Sequence, residues 1–227
     1  MSKILLKNCY YILKSCHEEG LRGYDLLIED NRVAKIAKNI DFSPTLSLAP
    51  SLAPSLAEDD RIIDCSTHVV VPGFVNTHHH FYQTLTRNLP KVQNAELFEW
   101  LVYLYEIWKH LDEEAIYTSS KLAMGELLKT GCTTSTDHHY IYPHSVTADI
   151  VGLQFKAAEE LGMRFSPTRG SMSLSKKDGG LPPDTLVQTD DEILQDSERV
   201  IKQYHDNSEL YMKKIVLAPC SPFSVTE

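Results

Sequence analysis

The chain has 227 residues, 42% hydrophobic and 23% charged, which fits a globular protein with a core of its own. Against 31 Asp plus Glu stand 22 Lys plus Arg, a formal net charge of −9. This excludes general binding to nucleic acid or an anionic membrane, because phosphate contacts need clustered cations. No apolar run approaches the ~20 residues of a membrane span, and Met1-Ser2-Lys3-Ile4-Leu5-Leu6 lacks the shape of a signal peptide, so a cytoplasmic location is expected.

Lys3–Lys7, Tyr24–Glu29 and Arg32–Ala37 read as short strands, the last two joined by the turn dipeptide Asp30-Asn31. From 43 to 57 the tetrad Ser-Leu-Ala-Pro recurs. A proline every four residues continues neither helix nor sheet, so an expanded, mobile loop without a function of its own is expected. Arg61–Cys65 and Val69–Val75 are again β-like, and the second runs into His78-His79-His80. Residues 1–70 therefore read as a small β unit.

Beyond residue 71 helix and strand alternate. Leu97, Leu101, Leu104, Tyr105 and Trp108 are spaced for one helical face, and Asp112-Glu113-Glu114 opens a second helix that ends near Gly131. A β-branched run, Cys132–Thr136, stops at Asp137-His138-His139. A helix over 144–161, closed by Gly162, leads to a strand at Met163–Pro167, and a helix near 190–205 precedes Lys214–Pro219. Four strands alternating with helices predict an α/β fold of parallel βα units, the first four units of a (β/α)₈ barrel over 71–227, since the closed barrel needs eight strands and typically ~250 residues. Ser224-Val225-Thr226-Glu227 has the S-x-x-E form of a helix-capping box, which announces a further helix.

The chemistry concentrates in the histidines. Side chains alternate along a strand, so His78 and His80 share a face while His79 points away, and two imidazoles at the carboxyl end of a barrel strand converge on one divalent metal. The competing reading is a surface histidine run. Cys9, Cys16, Cys65, Cys132 and Cys220 are scattered, odd in number and free of C-x-x-C pairs, which predicts reduced thiols rather than a disulfide framework.

Pro72-Gly73-Phe74-Val75-Asn76-Thr77-His78-His79-His80 resembles the P-G-[LF]-[IV]-[DN]-x-H-x-H signature of the amidohydrolase superfamily. The segments His80–Gln83, Gly131–Tyr140 and Leu217–Thr226 look most like its 8-oxoguanine deaminase and guanine or s-triazine aminohydrolase branch. The resemblance covers nearly the whole chain outside the Ser-Leu-Ala-Pro stretch, and it implies that residues 1–70 are part of a small β-sandwich. It implies that His78 and His80 are metal ligands, with zinc expected and iron the second option. It also implies that Gln83 hydrogen-bonds a heterocyclic substrate, the alternative being an exposed helix-entry residue. Trp100 is either an aromatic pocket wall or core. One of His138 and His139 faces the barrel mouth and contacts substrate, or else the pair is structural. Cys220 lines the pocket without acting as a nucleophile.

The family's third metal histidine, its following Glu and its terminal Asp belong to later strands, so the acid and base groups fall beyond this chain and the metal site is incomplete. The expected function is metal-dependent hydrolytic deamination of an aminated purine, of 8-oxoguanine or guanine type, with this chain an inactive N-terminal half. The alternatives are an s-triazine substrate, or a non-enzymatic half-barrel that self-associates or docks a complementary half.

Overall fold

A computed structural model of the chain describes residues 3–43 and 60–226. Most of the Ser-Leu-Ala-Pro stretch, residues 44–57, and Glu227 of the S-x-x-E motif lie outside the described residues. The chain divides into two compact units, Met1–Pro72 and Gly73–Glu227.

In the first unit β1 (Lys3–Cys9), β3 (Tyr24–Glu29), β4 (Arg32–Ala37) and β5 (Arg61–Asp64) form one sheet in the order β4-β3-β1-β5. β1 runs antiparallel to β3 and parallel to β5. The Asp30-Asn31 hairpin forms as expected, with Asp30 at a φ of 53°. A second, two-stranded sheet pairs β2 (Tyr11–Ile12) with β6 (Val69–Val70). Cys9, Ile12, Leu26 and Cys65 are the buried residues of this unit's apolar cluster.

The β-like run at 69–75 divides into β6 and β7 (Phe74–Asn76), one strand in each unit. Pro72 has no N–H for a ladder. Gly73 packs so close to the next strand in the second unit that a Cβ would stand 2.0 Å from Thr133 Oγ1.

In the second unit β7, β8 (Cys132–His139), β9 (Arg164–Ser171) and β10 (Val216–Pro219) form one parallel sheet in the order β10-β9-β8-β7. These are the four expected strands. The helices are α1 (Leu97–Trp108), α2 (Glu113–Lys129), α3 (Ile150–Leu161) and α4 (Asp190–Tyr204). Asp112 caps α2 by accepting the Ala115 N–H, and Gly162 ends α3 in the left-handed conformation at a φ of 70°. α3 begins six residues later than the helical pattern suggests. Asp149 is its cap, and that carboxylate is fixed by Gly152 N–H, Arg199 and Tyr204 Oη together.

One face of β8 carries the half-buried Thr134, Thr136 and His138; the other carries the buried Ser135, Asp137 and His139. The buried face meets the core of Phe81, Met124, Phe155, Phe165 and Val200, where Phe81 and Phe165 stack at 5.5 Å. A second cluster, with Tyr82, Leu104, Trp108, Tyr140 and Met172, includes the inner face of α1. Among the described residues β7 and β10 each pair on one side only, and Phe74, Val75, Val216 and Leu217 are exposed there.

Candidate active site

β7 ends at Asn76, but its pairing with β8 continues through the histidines. His138 N–H donates to the His79 carbonyl at 2.7 Å, and His80 Nδ1–H donates to the His138 carbonyl at 2.7 Å. A side chain thus supplies the next rung of the ladder. In a neutral ring, Nε2 of His80 is then left as an acceptor, and it stands 3.2 Å from His78 Nε2. Two nitrogens held ~2.0–2.1 Å from one tetrahedral zinc are about 3.3 Å apart, so the pair fits as two of a zinc ion's ligands. Burial pushes His80 down to about 4, which keeps the ring neutral and able to ligate near neutral pH. Among the described residues no three His, Cys, Asp or Glu side chains form a metal cage.

His138 faces the same side, with its ring 5.5 Å from His80 and 6.2 Å from His78. Its Nε2 is 3.4 Å from the Ala218 carbonyl at the end of β10. Tyr140 packs edge-on against both His80 and His138.

Gln83 lies in a 3-10 turn, Phe81–Thr86, directly after His80, and its Nε2–H donates to Tyr82 Oη at 3.3 Å. His79, His80, Gln83, Thr84, Thr86, Arg87, Asn88 and Trp100 line one cavity of about 280 Å³. Trp100 therefore reaches the site while also packing against Trp108 at 5.3 Å. A larger cavity of about 760 Å³, lined by residues 142–151 and by α4 and the segment before it, holds none of the expected site residues.

Of the expected residues the structure brings together His78, His80, Gln83, Trp100 and His138. Cys220 follows β10, packed in the cluster around Tyr140, where burial raises its thiol and argues against a nucleophile. His139 is not brought to this site. It is buried on the opposite face of β8, and its Nε2–H donates to the Ile141 carbonyl at 2.7 Å while Nδ1 has no partner among the described residues. His79, Arg87 and Asn88, by contrast, reach the cavity without having been singled out. Alternation assigned His79 to the far face, but that rule stops where β7 does.

Burial pushes His139 down to about 4. Above pH ~6.5 the ring is neutral in folded and unfolded chains alike. As pH falls toward 4 the unfolded chain takes a proton that the native site refuses, so stability is lost. Asp137, raised to about 7 by burial, works the other way, because below 7 the native chain keeps a proton that the unfolded chain releases. Comparing wild type with His139→Gln cancels the second effect. The variant is expected to lose about 2 kcal/mol less than wild type between pH 7 and pH 5 in urea unfolding, and equal losses would overturn the assignment.

Four consecutive parallel strands linked by helices, with two imidazoles paired just beyond the carboxyl end of the first and a third at that end of the second, are the arrangement of half a barrel hydrolase. Residues 69–227 match the amidohydrolase family, and the chain belongs to that family. It is 54% identical over 226 residues to 8-oxoguanine deaminase of Pseudomonas aeruginosa, covering 100% of this chain and 47% of that protein. It is 35% identical over 206 residues to hydroxydechloroatrazine ethylaminohydrolase of Pseudomonas sp. strain ADP, covering 89% and 41%. Among solved structures, atrazine chlorohydrolase of Arthrobacter aurescens TC1 complexed with zinc superposes with a TM-score of 0.79 at 25% identity, covering 98% of this chain and 48% of that one. The chain spans about half the length of the curated relatives it matches.

Proposed function

We propose that this chain forms the first-strand half of a zinc-dependent hydrolytic deaminase for an aminated, oxidised purine of the 8-oxoguanine type. The observation that carries this reading is the convergence of His78 and His80 Nε2 at 3.2 Å beside the cavity that Gln83 and Trp100 share. The 54% identity to 8-oxoguanine deaminase supports the substrate class. His78 and His80 would hold the metal, and the metal, when bound, supplies the Lewis acidity that activates water for attack on the ring carbon bearing the amino group. The second histidine's orientation comes from its Nδ1–H bond to His138. Gln83 presents its amide to the edge of the heterocycle, and Trp100 offers a flat apolar wall for the ring.

The remaining ligands and the acid and base groups come, in this proposal, from a complementary half-barrel that pairs with β7 and β10. Exposed Phe74, Val75, Val216 and Leu217 on those two strands support such a partner over a free sheet edge. The test is to assay ammonia release from 8-oxoguanine by the chain with zinc. The assay is repeated after co-expression with the part of the Pseudomonas aeruginosa deaminase that this chain does not match. The chain alone is expected to be inactive and the assembly active, with His80→Ala abolishing that activity. Turnover by the chain alone would overturn the half-site reading. A triazine substrate is the second reading, favoured by the 35% identity to the ethylaminohydrolase. Preference of the assembly for hydroxydechloroatrazine over 8-oxoguanine would decide for it.

A further inference from the structure

Asp137 is a fully buried carboxylic residue that the chemistry above does not use. It precedes His138 on β8 but faces the opposite way. Phe81 N–H donates to its Oδ1 at 2.7 Å, and Gln154 Nε2–H, from α3, donates to its Oδ2 at 2.5 Å. Phe81 opens the 3-10 turn that follows the histidines. His80, at the cap position of that turn, offers it no side-chain hydrogen bond, so the first amide is satisfied from a neighbouring strand instead. The same short turn joins His80 to Gln83, whose N–H donates to the His80 carbonyl at 3.0 Å.

We propose that Asp137 is a positioning residue. By capping the Phe81–Thr86 turn from β8, it holds His80 and Gln83, and hence the metal and the ring-reading amide, in one fixed relation. The inference rests on the reading of His78 and His80 as metal ligands. A carboxylate suits the place because its two oxygens accept from two elements at once, tying the turn to α3 through β8. An apolar side chain would leave the Phe81 amide buried without a partner. The role needs an acceptor rather than a charge. In Asp137→Asn, Oδ1 still faces Phe81, and the new amide meets Gln154, whose Oε1 has no partner among the described residues and accepts from it once the Gln154 amide turns over.

The test uses the ¹⁵N-labelled chain titrated with zinc chloride, reading the histidine ring signals and the exchange rate of the Phe81 amide. Linkage is reciprocal: if the Asp137 bond favours the metal-binding geometry, zinc must favour the bond. Saturating zinc is expected to slow Phe81 amide exchange at least about tenfold. Asp137→Ala is expected to weaken zinc binding at least about tenfold, and Asp137→Asn to stay within about threefold of wild type. An unchanged Phe81 exchange rate at saturation, or Asp137→Ala binding zinc as tightly as wild type, overturns the proposal. Should Asp137→Ala fail to fold, the exchange measurement on the wild-type chain decides alone. If zinc shifts neither His78 nor His80, in the chain alone or in its assembly with the complementary half, the metal reading itself fails. Positioning is then decided in the metal-free chain, where the Phe81 amide must exchange at least about 100-fold more slowly than an open amide, and an unprotected amide overturns it.

Discussion

Adding one methyl group at Gly170 is expected to cost about 3 kcal/mol, the upper end of the usual range for overpacking, and to displace the site end of β8. Gly170 lies in β9 directly after Arg169, which pairs with His139 across the sheet. A Cβ there would stand 2.3 Å from the His139 carbonyl oxygen and 2.9 Å from Tyr140 Cβ. The nearest obstacle is backbone inside a parallel ladder, so it cannot rotate away as a side-chain end would. Relief requires β8 and β9 to separate where β8 presents His138 and leads into Tyr140, the two rings packed on His80. Gly170→Ala is therefore expected to lower the urea midpoint sharply and to shift the His138 and Tyr140 resonances. Wild-type stability in that variant would show that the two strands are not held this close.

Replacing Arg169 by methionine is expected to cost about 3 kcal/mol. The Arg169 side chain is fully buried. Its Nε pairs with Asp196 of α4 at 2.5 Å, one amino group donates to Gln188 Oε1 at 2.8 Å, and the guanidinium lies 3.9 Å over the Tyr142 ring. Removing it strands Gln188 Oε1 and takes one of two cations from Asp196; Arg199 remains as the other at 2.7 Å, which holds the loss to the lower end of the range for a broken buried pair. Arg169→Lys is expected to recover only part of the loss, since one ammonium cannot make the planar, forked contacts to Asp196 and Gln188 together. Urea unfolding of both variants checks this, and a methionine variant within 1 kcal/mol of wild type would show that β9 does not depend on this anchor.

Much of the fold was legible because it rests on local rules. The turn at Asp30-Asn31, the cap at Asp112 and the stop at Gly162 are choices that a few neighbouring residues make for themselves. The start of α3 was less legible, because its cap, Asp149, is held by Arg199 and Tyr204, 50 and 55 residues away. At the site, the spacing of His78 and His80 was enough to pair them. Period-two alternation separated His138 from His139, but not which of them faces His78 and His80. That choice depends on which face of β8 the helices cover, and Asp137 and His139 are on the covered side.

The sequence by itself determined the order of the main strands and helices, the change from a β unit to alternating strand and helix after residue 70, and the pairing of His78 with His80, since periodicity, turn residues and short spacing act within a few residues. Only the tertiary structure decided the tautomer of His80, the exclusion of His139, the entry of His79 and Trp100 into one cavity, and the anchoring of the histidine turn by Asp137. Each of these depends on a hydrogen bond or packing contact between strands and helices distant in the chain. Which partner meets a given polar atom is set by where the whole sheet and its helices come to rest.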